Sequence, residues 1–127
     1  MRRGDYRTTY MTGPIDHEQA SAAALRRRRA TLIRQLPPLE ALLRGSVIER
    51  YKRCGNPSCH CAKGPGHGPK HYLSVSQAGG RPVMEYVPAA YQQQVRDFLD
   101  NHRQARVVLE EICEINLELL RRRESLE

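Results

Sequence analysis

Large aromatic side chains are scarce in this sequence. Its 127 residues include no tryptophan and a single phenylalanine, Phe98, and aromatic residues make up 6% of the total. We therefore expect a core built from Leu, Ile, Val and Ala on helices. The sequence also lacks any run of eighteen apolar residues, which argues against a helix that spans a membrane.

The N-terminus lacks the features of a secretory signal. Residues 1–19 contain no apolar segment of the kind that such signals carry. We therefore expect the protein to be cytoplasmic, where thiols stay reduced. Under those conditions clustered cysteines indicate metal ligands or redox groups rather than disulfides.

Acidic residues are few in the first part of the chain. Residues 1–71 contain 14 Lys and Arg against 5 Asp and Glu, a net charge of +9, whereas residues 72–127 carry a net −2. Eighteen of the 21 basic residues are arginine, whose planar guanidinium suits phosphate. This asymmetry indicates either a polyanionic partner or a basic helix lying along an acidic helix of the same chain.

The N-terminal third is predicted to be helical after a mobile tail. Residues 1–16 are polar and without periodicity, and we interpret them as the tail. Residues 17–127 are predicted to form a single domain, of which 17–45 are helical. Asp16 would cap a helix that starts at His17 and stops before Pro37, and residues 39–45 would add a short helical turn.

The middle of the chain reads as an antiparallel β-meander over residues 46–87. Residues 46–54 alternate in the way strands do, and residues 71–77 and 81–88 flank an Ala-Gly-Gly turn that is typical of a hairpin. Together with the flanking helices this predicts an α+β fold, in which a loop rich in Cys and His is inserted between the first two strands.

Glycine and proline are absent after Pro88, which predicts one long helix over residues 88–126. Apolar residues recur there at heptad spacing, interrupted by two polar residues, His102 and Asn116. We expect this helix to form a helical hairpin or coiled coil with the first helix and to leave apolar surface for a dimer. The predicted seam comprises Val95, Phe98, His102, Ala105, Leu109, Ile112, Asn116 and Leu119.

The inserted loop has the composition of a metal site. Residues 54–71, CGNPSCHCAKGPGHGPKH, contain three of the four cysteines and three of the five histidines. Zinc takes four tetrahedral N and S ligands, and the glycines and prolines permit the tight turns that would wrap them around an ion. We predict a structural zinc site formed by Cys54, Cys59, Cys61 and His67, with His71 as the alternative fourth ligand.

Other interpretations of these cysteines remain open. The loop could hold reduced thiols without a ligand, or it could serve a redox or iron–sulfur function. His60 lies between two ligands, so its side chain is expected to point away from the ion. Cys113, on the long helix, is expected to be buried and inert.

No pattern in the sequence indicates catalysis. There is no phosphate-binding Gly-Lys-Ser/Thr loop and no serine with a neighbouring carboxylate–histidine pattern. The carboxylates at Glu110, Glu111, Glu114 and Glu118 are interpreted as a solvated helix face. We predict that the protein is not an enzyme.

The same loop carries a family resemblance. Residues 42–120 resemble short uncharacterised bacterial proteins that are often encoded beside transposases and other mobile-element genes. The resemblance implies a connection with mobile DNA and implies no mechanism. Lys70 and His71 stand here before Tyr72, where the family usually has an aromatic residue directly after Gly-Pro. The matching positions are Cys54, Gly55, Cys59, Cys61, Ala62, Gly64, His67, Gly68 and Pro69.

These observations predict a small zinc-stabilised protein that binds DNA or RNA, as an accessory or regulatory factor of a bacterial mobile element. Cations would neutralise phosphates, and tyrosine rings would stack on bases. The alternatives are a zinc-held coiled-coil module that recruits a recombinase or transposase, and a thiol-based metal or redox sensor. The predicted nucleic-acid-binding residues are Arg50, Lys52, Arg53, Lys63, Lys70, Tyr51, Tyr72, Arg27 and Arg28.

Overall fold

The computed structural model describes residues 15–64 and 66–127. Except for residues 15 and 16, the predicted tail lies outside these ranges. The backbone contacts divide the chain into two compact units. The helical unit comprises the described residues up to Ala41 together with Asp100–Glu127, and the sheet unit is Leu42–Leu99. The single domain predicted over residues 17–127 stays a prediction.

Helix α1 of the helical unit spans Ala22–Arg34 and begins five residues later than predicted. Ser21 caps it, because its Oγ accepts a hydrogen bond from the Ala24 N–H at 3.1 Å. Asp16 instead stabilises a preceding turn, where its Oδ1 accepts from the Glu18 N–H at 3.0 Å. The segment after α1 contains a turn closed by the Ala41 N–H to the Pro38 carbonyl at 3.1 Å, and no further helix.

Helix α2 spans Gln92–Arg121, a run of 30 residues that confirms the predicted long C-terminal helix. A short 3-10 turn, Ala89–Tyr91, leads into it from Pro88. Within the part of the chain that the structure describes, no helix is both long enough and apolar enough to cross a membrane.

The core of the helical unit corrects the predicted heptad seam. Ala105 and Leu119 are buried as predicted, but Val108 and Ile115 are fully buried in place of Leu109 and Asn116. Over this stretch of α2, apolar residues recur at alternating spacings of three and four in two alternative registers. Packing against α1 selects which of the two registers is buried. The fully buried residues of this core are Leu25, Leu32, Val108, Ile115 and Leu119.

The sheet unit contains three antiparallel strands in the order β1-β2-β3, as predicted. They are β1 Ser46–Lys52, β2 His67–Val75 and β3 Val83–Val87. β2 begins four residues before the predicted start at residue 71. The core of the sheet unit is formed by Leu73, Val87 and Leu99. The partly buried residues packed against this core are Leu43, Val47, Val75 and Val95.

Candidate metal centre and the surface beside it

The loop between β1 and β2 is shaped by local hydrogen bonds. Asn56 Oδ1 accepts from both the N–H and the hydroxyl of Ser58, at 3.0 and 2.8 Å, and the Cys59 N–H donates to the Asn56 carbonyl at 3.0 Å. A 3-10 turn, His60–Lys63, follows and carries Cys61. These turns bring residues with little apolar side chain into a compact arrangement at the start of β2.

Four metal-ligand side chains converge within this loop. One donor atom from each of Cys54, Cys59, Cys61 and His67 lies within 4.8 Å of all the others. The sulfur atoms of Cys54 and Cys61 are 3.5 Å apart, and Cys59 Sγ is 3.4 Å from His67 Nε2. Ligands at ordinary zinc distances from one tetrahedral ion would be separated by about 3.8 Å for S–S and about 3.5 Å for S–N. The cluster could therefore bind a metal ion.

The four cluster residues differ in exposure. Cys61 is 1% exposed, whereas Cys54 and His67 are exposed and Cys59 is half-buried. A sulfur separation of 3.5 Å is too long for a disulfide, which needs about 2.05 Å, and all four cysteines of the chain are free. An ion could thus enter from solvent and contact a thiol fixed in the interior.

Local hydrogen bonds favour the thiolate at two of the cysteines. The backbone N–H of Asn56, followed by the side chain of His67, lowers the pKa of Cys54 to about 6. The backbone N–H of Cys61 lowers the pKa of Cys59. Because the thiolate is the form that ligates metals, both shifts favour ion binding near neutral pH.

The other two cluster residues are shifted in the opposite direction. The backbone N–H of Cys54 favours the thiolate of Cys61, but burial and the neighbouring thiols of Cys59 and Cys54 outweigh it and raise its pKa. Hydrogen bonds with Cys54 and Cys59 raise the pKa of His67. An incoming cation would displace the protons on these two groups.

Two glycines allow β2 to approach β1 next to the cluster. Gly66 has φ +108° and Gly68 has φ +139°, both in the region that favours glycine. A Cβ on Gly68 would lie 2.8 Å from the Arg50 carbonyl oxygen. The pairing slips here, since Arg50 faces Lys70 whereas Lys52 faces His67, which places an extra residue in β2. This bulge sets the direction in which His67 leaves the strand.

Two nearby histidines lie outside the donor set. His71, the alternative ligand, is not part of the cluster: its Nδ1 is 3.0 Å from Gln92 Nε2, and its Nε2 is 3.5 Å from Glu49 Oε1. His60 was expected to point away from the ion. It is likewise outside the donor set, and its ring packs edge-on against His67 with centroids 5.7 Å apart.

The fourth cysteine does not match its prediction. Cys113, expected to be buried, is exposed on α2. The seam register explains the difference, because the fully buried positions on this part of α2 are Val108 and Ile115. Cys113 lies on a face of the helix turned away from them.

Five of the predicted nucleic-acid-binding residues line one concavity beside the cluster. Its volume is about 480 Å³, and Cys54 and His67 of the cluster also border it. Lys63 is exposed but does not line it. The five residues are Arg50, Tyr51, Lys52, Lys70 and Tyr72.

Arg53 has a different role from the one predicted. Its Nε and Nη2 both donate to the Gly64 carbonyl oxygen, at 2.9 and 2.7 Å. The guanidinium therefore ties the end of β1 to the end of the 3-10 turn and helps to hold the loop closed.

The two arginines predicted on α1 belong to the helical unit, and only one of them reaches solvent. Arg27 is exposed. Arg28 is buried and donates from Nε and Nη2 to the Glu111 carboxylate at 2.9 and 3.0 Å. Arg28 is therefore withdrawn from any surface that phosphate could reach.

Sequence reasoning missed Tyr86. It pairs with Tyr72 across the β2–β3 hairpin, and the two rings meet edge-on with centroids 5.7 Å apart. The signal was present, since Tyr72 and Tyr86 both lie seven residues from Gly79 in the predicted turn. A symmetric hairpin places two such residues opposite each other.

A family model described as "Domain of unknown function (DUF6788)" matches residues 22–97, which include the whole metal-ligand cluster. No curated protein and no solved structure matches the chain. The match covers more than half of the sequence, and the chain belongs to this family.

Proposed function

We propose that this member of the family is a small zinc-stabilised protein that binds nucleic acid through the surface beside its metal centre. One observation carries the proposal. Arg50, Lys52 and Lys70 converge on a single concavity that the metal-ligand cluster borders. Among the described residues, none of these three side chains has a hydrogen-bond or ion-pair partner.

The donor set supports zinc as the metal. Three thiolates and one imidazole are soft to borderline ligands, which favour zinc over the oxygen-seeking cations magnesium and calcium. Four protein donors complete a tetrahedral shell and leave no open position for a catalytic water. We therefore assign the ion a structural role and expect no enzymatic activity.

Zinc would supply the folding energy that this loop otherwise lacks. Of residues 53–66, leaving aside Pro65, only Cys61 is buried, so there is no local apolar core. Metal binding and ordering of such a segment are a single event. The ion would thus hold closed the loop that joins β1 to β2, the two strands that carry the cations of the concavity.

Arg50, Lys52 and Lys70, which have no partner among the described residues, support a phosphate-bearing partner. Each cation that neutralises a phosphate releases condensed counterions, which drives association and makes it salt-dependent. The arginines of α1 give the proposal less support, because Arg28 and Arg29 already donate hydrogen bonds to Glu111 and Asn116. The resemblance to proteins encoded beside transposases extends the proposal to an accessory or regulatory factor of a bacterial mobile element.

A second candidate function is a protein-interaction module that self-associates or recruits a recombinase. Large apolar side chains on α2 remain exposed: Leu109 is 52% exposed, and Leu117 and Leu120 are each 47% exposed. With Cys113 they follow a spacing of four, four and three residues, so they lie along one face of the helix. We name these four residues the C-terminal apolar stripe.

The test is a titration of labelled DNA and RNA oligonucleotides with zinc-loaded protein over a series of salt concentrations. A triple variant, Arg50/Lys52/Lys70→Ala, should bind roughly tenfold more weakly, with a log–log salt slope shallower by about 0.7–0.9 for each phosphate that is no longer neutralised. The control, Arg81/Arg96/Arg106→Ala, removes the same charge from exposed positions elsewhere and should bind as the parent does. If the parent binds no nucleic acid with salt dependence, the interaction module replaces this proposal.

A further inference from the structure

The register of the sheet separates its side chains into two different faces. Side chains alternate along each strand, and one face carries the core residues Val47, Leu73 and Val87. On the other face, which we name the outer face, the pairing places Ile48 opposite Tyr72.

The outer face is ordered into an aromatic row and a cationic row. Tyr72 also pairs with Tyr86, so that one row crosses all three strands from Ile48 to Tyr86. The neighbouring row is Arg50 opposite Lys70. Beyond that row, Lys52 faces His67, the first residue of β2 and a member of the metal-ligand cluster. Aromatic surface and positive charge thus lie next to each other on the same side of the sheet.

The tyrosine rings retain free surface. Tyr86 is 49% exposed. Tyr72 is half-buried, with its ring held edge-on against Tyr86 at an interplanar angle of 66°. An edge-on pair leaves ring faces available to a third aromatic group. Exposed aromatic residues grouped in this way mark a binding surface more often than isolated ones do.

The concavity is of a size that admits a nucleotide. Its volume of about 480 Å³ lies within the range of about 300–1,000 Å³ that is common for small-molecule sites. Tyr72 lines it together with three cations, Arg50, Lys52 and Lys70, that have no partner among the described residues. A base entering it would find ring faces, and its phosphates would find positive charge.

This combination distinguishes between forms of nucleic acid. In a duplex the base faces are covered by neighbouring base pairs, and only base edges and phosphates can be reached from outside. A tyrosine ring can stack on a base only where that base is unpaired, and such stacking tolerates any sequence. Cations alone would bind single-stranded and duplex nucleic acid alike, so the preference for a single strand comes from the tyrosines.

We propose that the outer face of the sheet binds single-stranded nucleic acid, with unpaired bases stacked on Tyr72 and Tyr86 and phosphates held by Arg50, Lys52 and Lys70. This inference rests on the proposed function and names its substrate class. It commits to a single strand as the occupant because exposed rings add nothing to a surface that recognises charge alone, and because three cations without a partner among the described residues favour a polyanion over a protein surface.

The experiment compares three labelled ligands at matched salt, using zinc-loaded full-length protein. They are a single strand of about 12 nucleotides, the blunt duplex of the same sequence, and an abasic strand with the same phosphates and no bases. The single strand should bind roughly tenfold or more tightly than the duplex and the abasic strand, since only it offers base faces.

The matched variants separate stacking from charge. Tyr72/Tyr86→Leu should weaken single-strand binding roughly tenfold or more while leaving the salt slope unchanged, because stacking releases no counterions. Tyr91→Leu is the control: Tyr91 is 57% exposed and belongs to the 3-10 turn before α2. It should bind as the parent does. Zinc content and circular dichroism confirm that each variant is folded.

The possible failures are distinguishable. Equal or tighter binding of the duplex or the abasic strand, or parent-like binding by Tyr72/Tyr86→Leu, would overturn the single-strand inference and leave the nucleic-acid function standing. Absence of salt-dependent binding to all three ligands would overturn the proposed function itself.

Discussion

Arg28 and Glu111 form a bidentate ion pair inside the helical unit, with N–O distances of 2.9 and 3.0 Å and both residues 7% exposed. Arg29 likewise donates to Asn116 Oδ1 at 2.6 Å. The basic run on α1 therefore lies along acidic and polar residues of α2 within one unit. Of the two explanations that the sequence left open for this run, the intramolecular one accounts for these two arginines.

Arg28→Ala should be strongly destabilising. Removing one partner of a buried ion pair leaves the Glu111 carboxylate without its guanidinium, at a cost of about 3–5 kcal/mol. Urea denaturation monitored by circular dichroism measures the loss. Arg27→Ala is the matched control, because Arg27 is exposed on the same helix turn and its removal should change the free energy of unfolding by less than about 0.5 kcal/mol. Equal effects of the two substitutions would contradict the assigned burial.

Glu118 should contribute stability that is lost in acid. The hydrogen bond from Arg122, at 2.8 Å, with further help from Arg121, lowers the pKa of this carboxylate. A lowered folded-state pKa stabilises the protein above the unfolded value of about 4.3, and the contribution disappears as pH falls through the folded value. The free energies of unfolding of the parent and of Glu118→Gln should therefore differ at pH 7 and converge below about pH 4. A constant difference over that range would show that the carboxylate charge is not involved.

Metal content should depend on the residues of the metal-ligand cluster. We expect about one zinc per chain in protein purified under reducing conditions without chelator. Cys59→Ser should lose most of that zinc, because a hydroxyl replaces a thiolate in the donor set. Cys113→Ser, which changes an exposed cysteine outside the cluster, should keep it. Elemental analysis decides, and a parent with less than about 0.2 zinc per chain would refute the metal assignment.

We expect the chain to dimerise through the C-terminal apolar stripe. Leu117→Glu should shift the protein to the monomer, since it places a charge within the apolar contact. Val107→Glu is the control, because Val107 is 42% exposed and is not in helical phase with the stripe. Light scattering should measure the mass of a dimer for the parent and for Val107→Glu, and the mass of a monomer for Leu117→Glu. The chain concentration should be tens of micromolar, roughly ten times a micromolar Kd. A parent of 14.6 kDa would exclude self-association at that concentration.

The elements were predictable from the sequence because each has a strong local signal. The absence of Gly and Pro after Pro88 indicated α2, and the Ala-Gly-Gly turn indicated the hairpin. The seam was not predictable in detail: Val108 and Leu109 are both apolar, and only packing against α1 decides which of them is buried. The start of α1 was missed because Asp16 and Ser21 are both good capping residues.

The metal-ligand cluster was predictable because its spacing and its turn residues agree. The choice between His67 and His71 was not, since it depends on which histidine the bulge at Gly68 directs toward the thiols. The role of Arg53 was also out of reach. An arginine beside a loop reads as surface charge until its hydrogen bonds to the Gly64 carbonyl oxygen are known.

The central claim is that a bound metal holds the loop joining β1 to β2, the two strands that carry the cations for nucleic acid. Its most direct test is to measure the affinity of one protein preparation for a single-stranded oligonucleotide before zinc removal, after chelation and dialysis, and after return of one equivalent of zinc. Affinity should fall roughly tenfold or more on removal, because ordering the loop would then oppose binding, and it should recover on return. Undiminished affinity in protein shown to contain no metal would contradict the account.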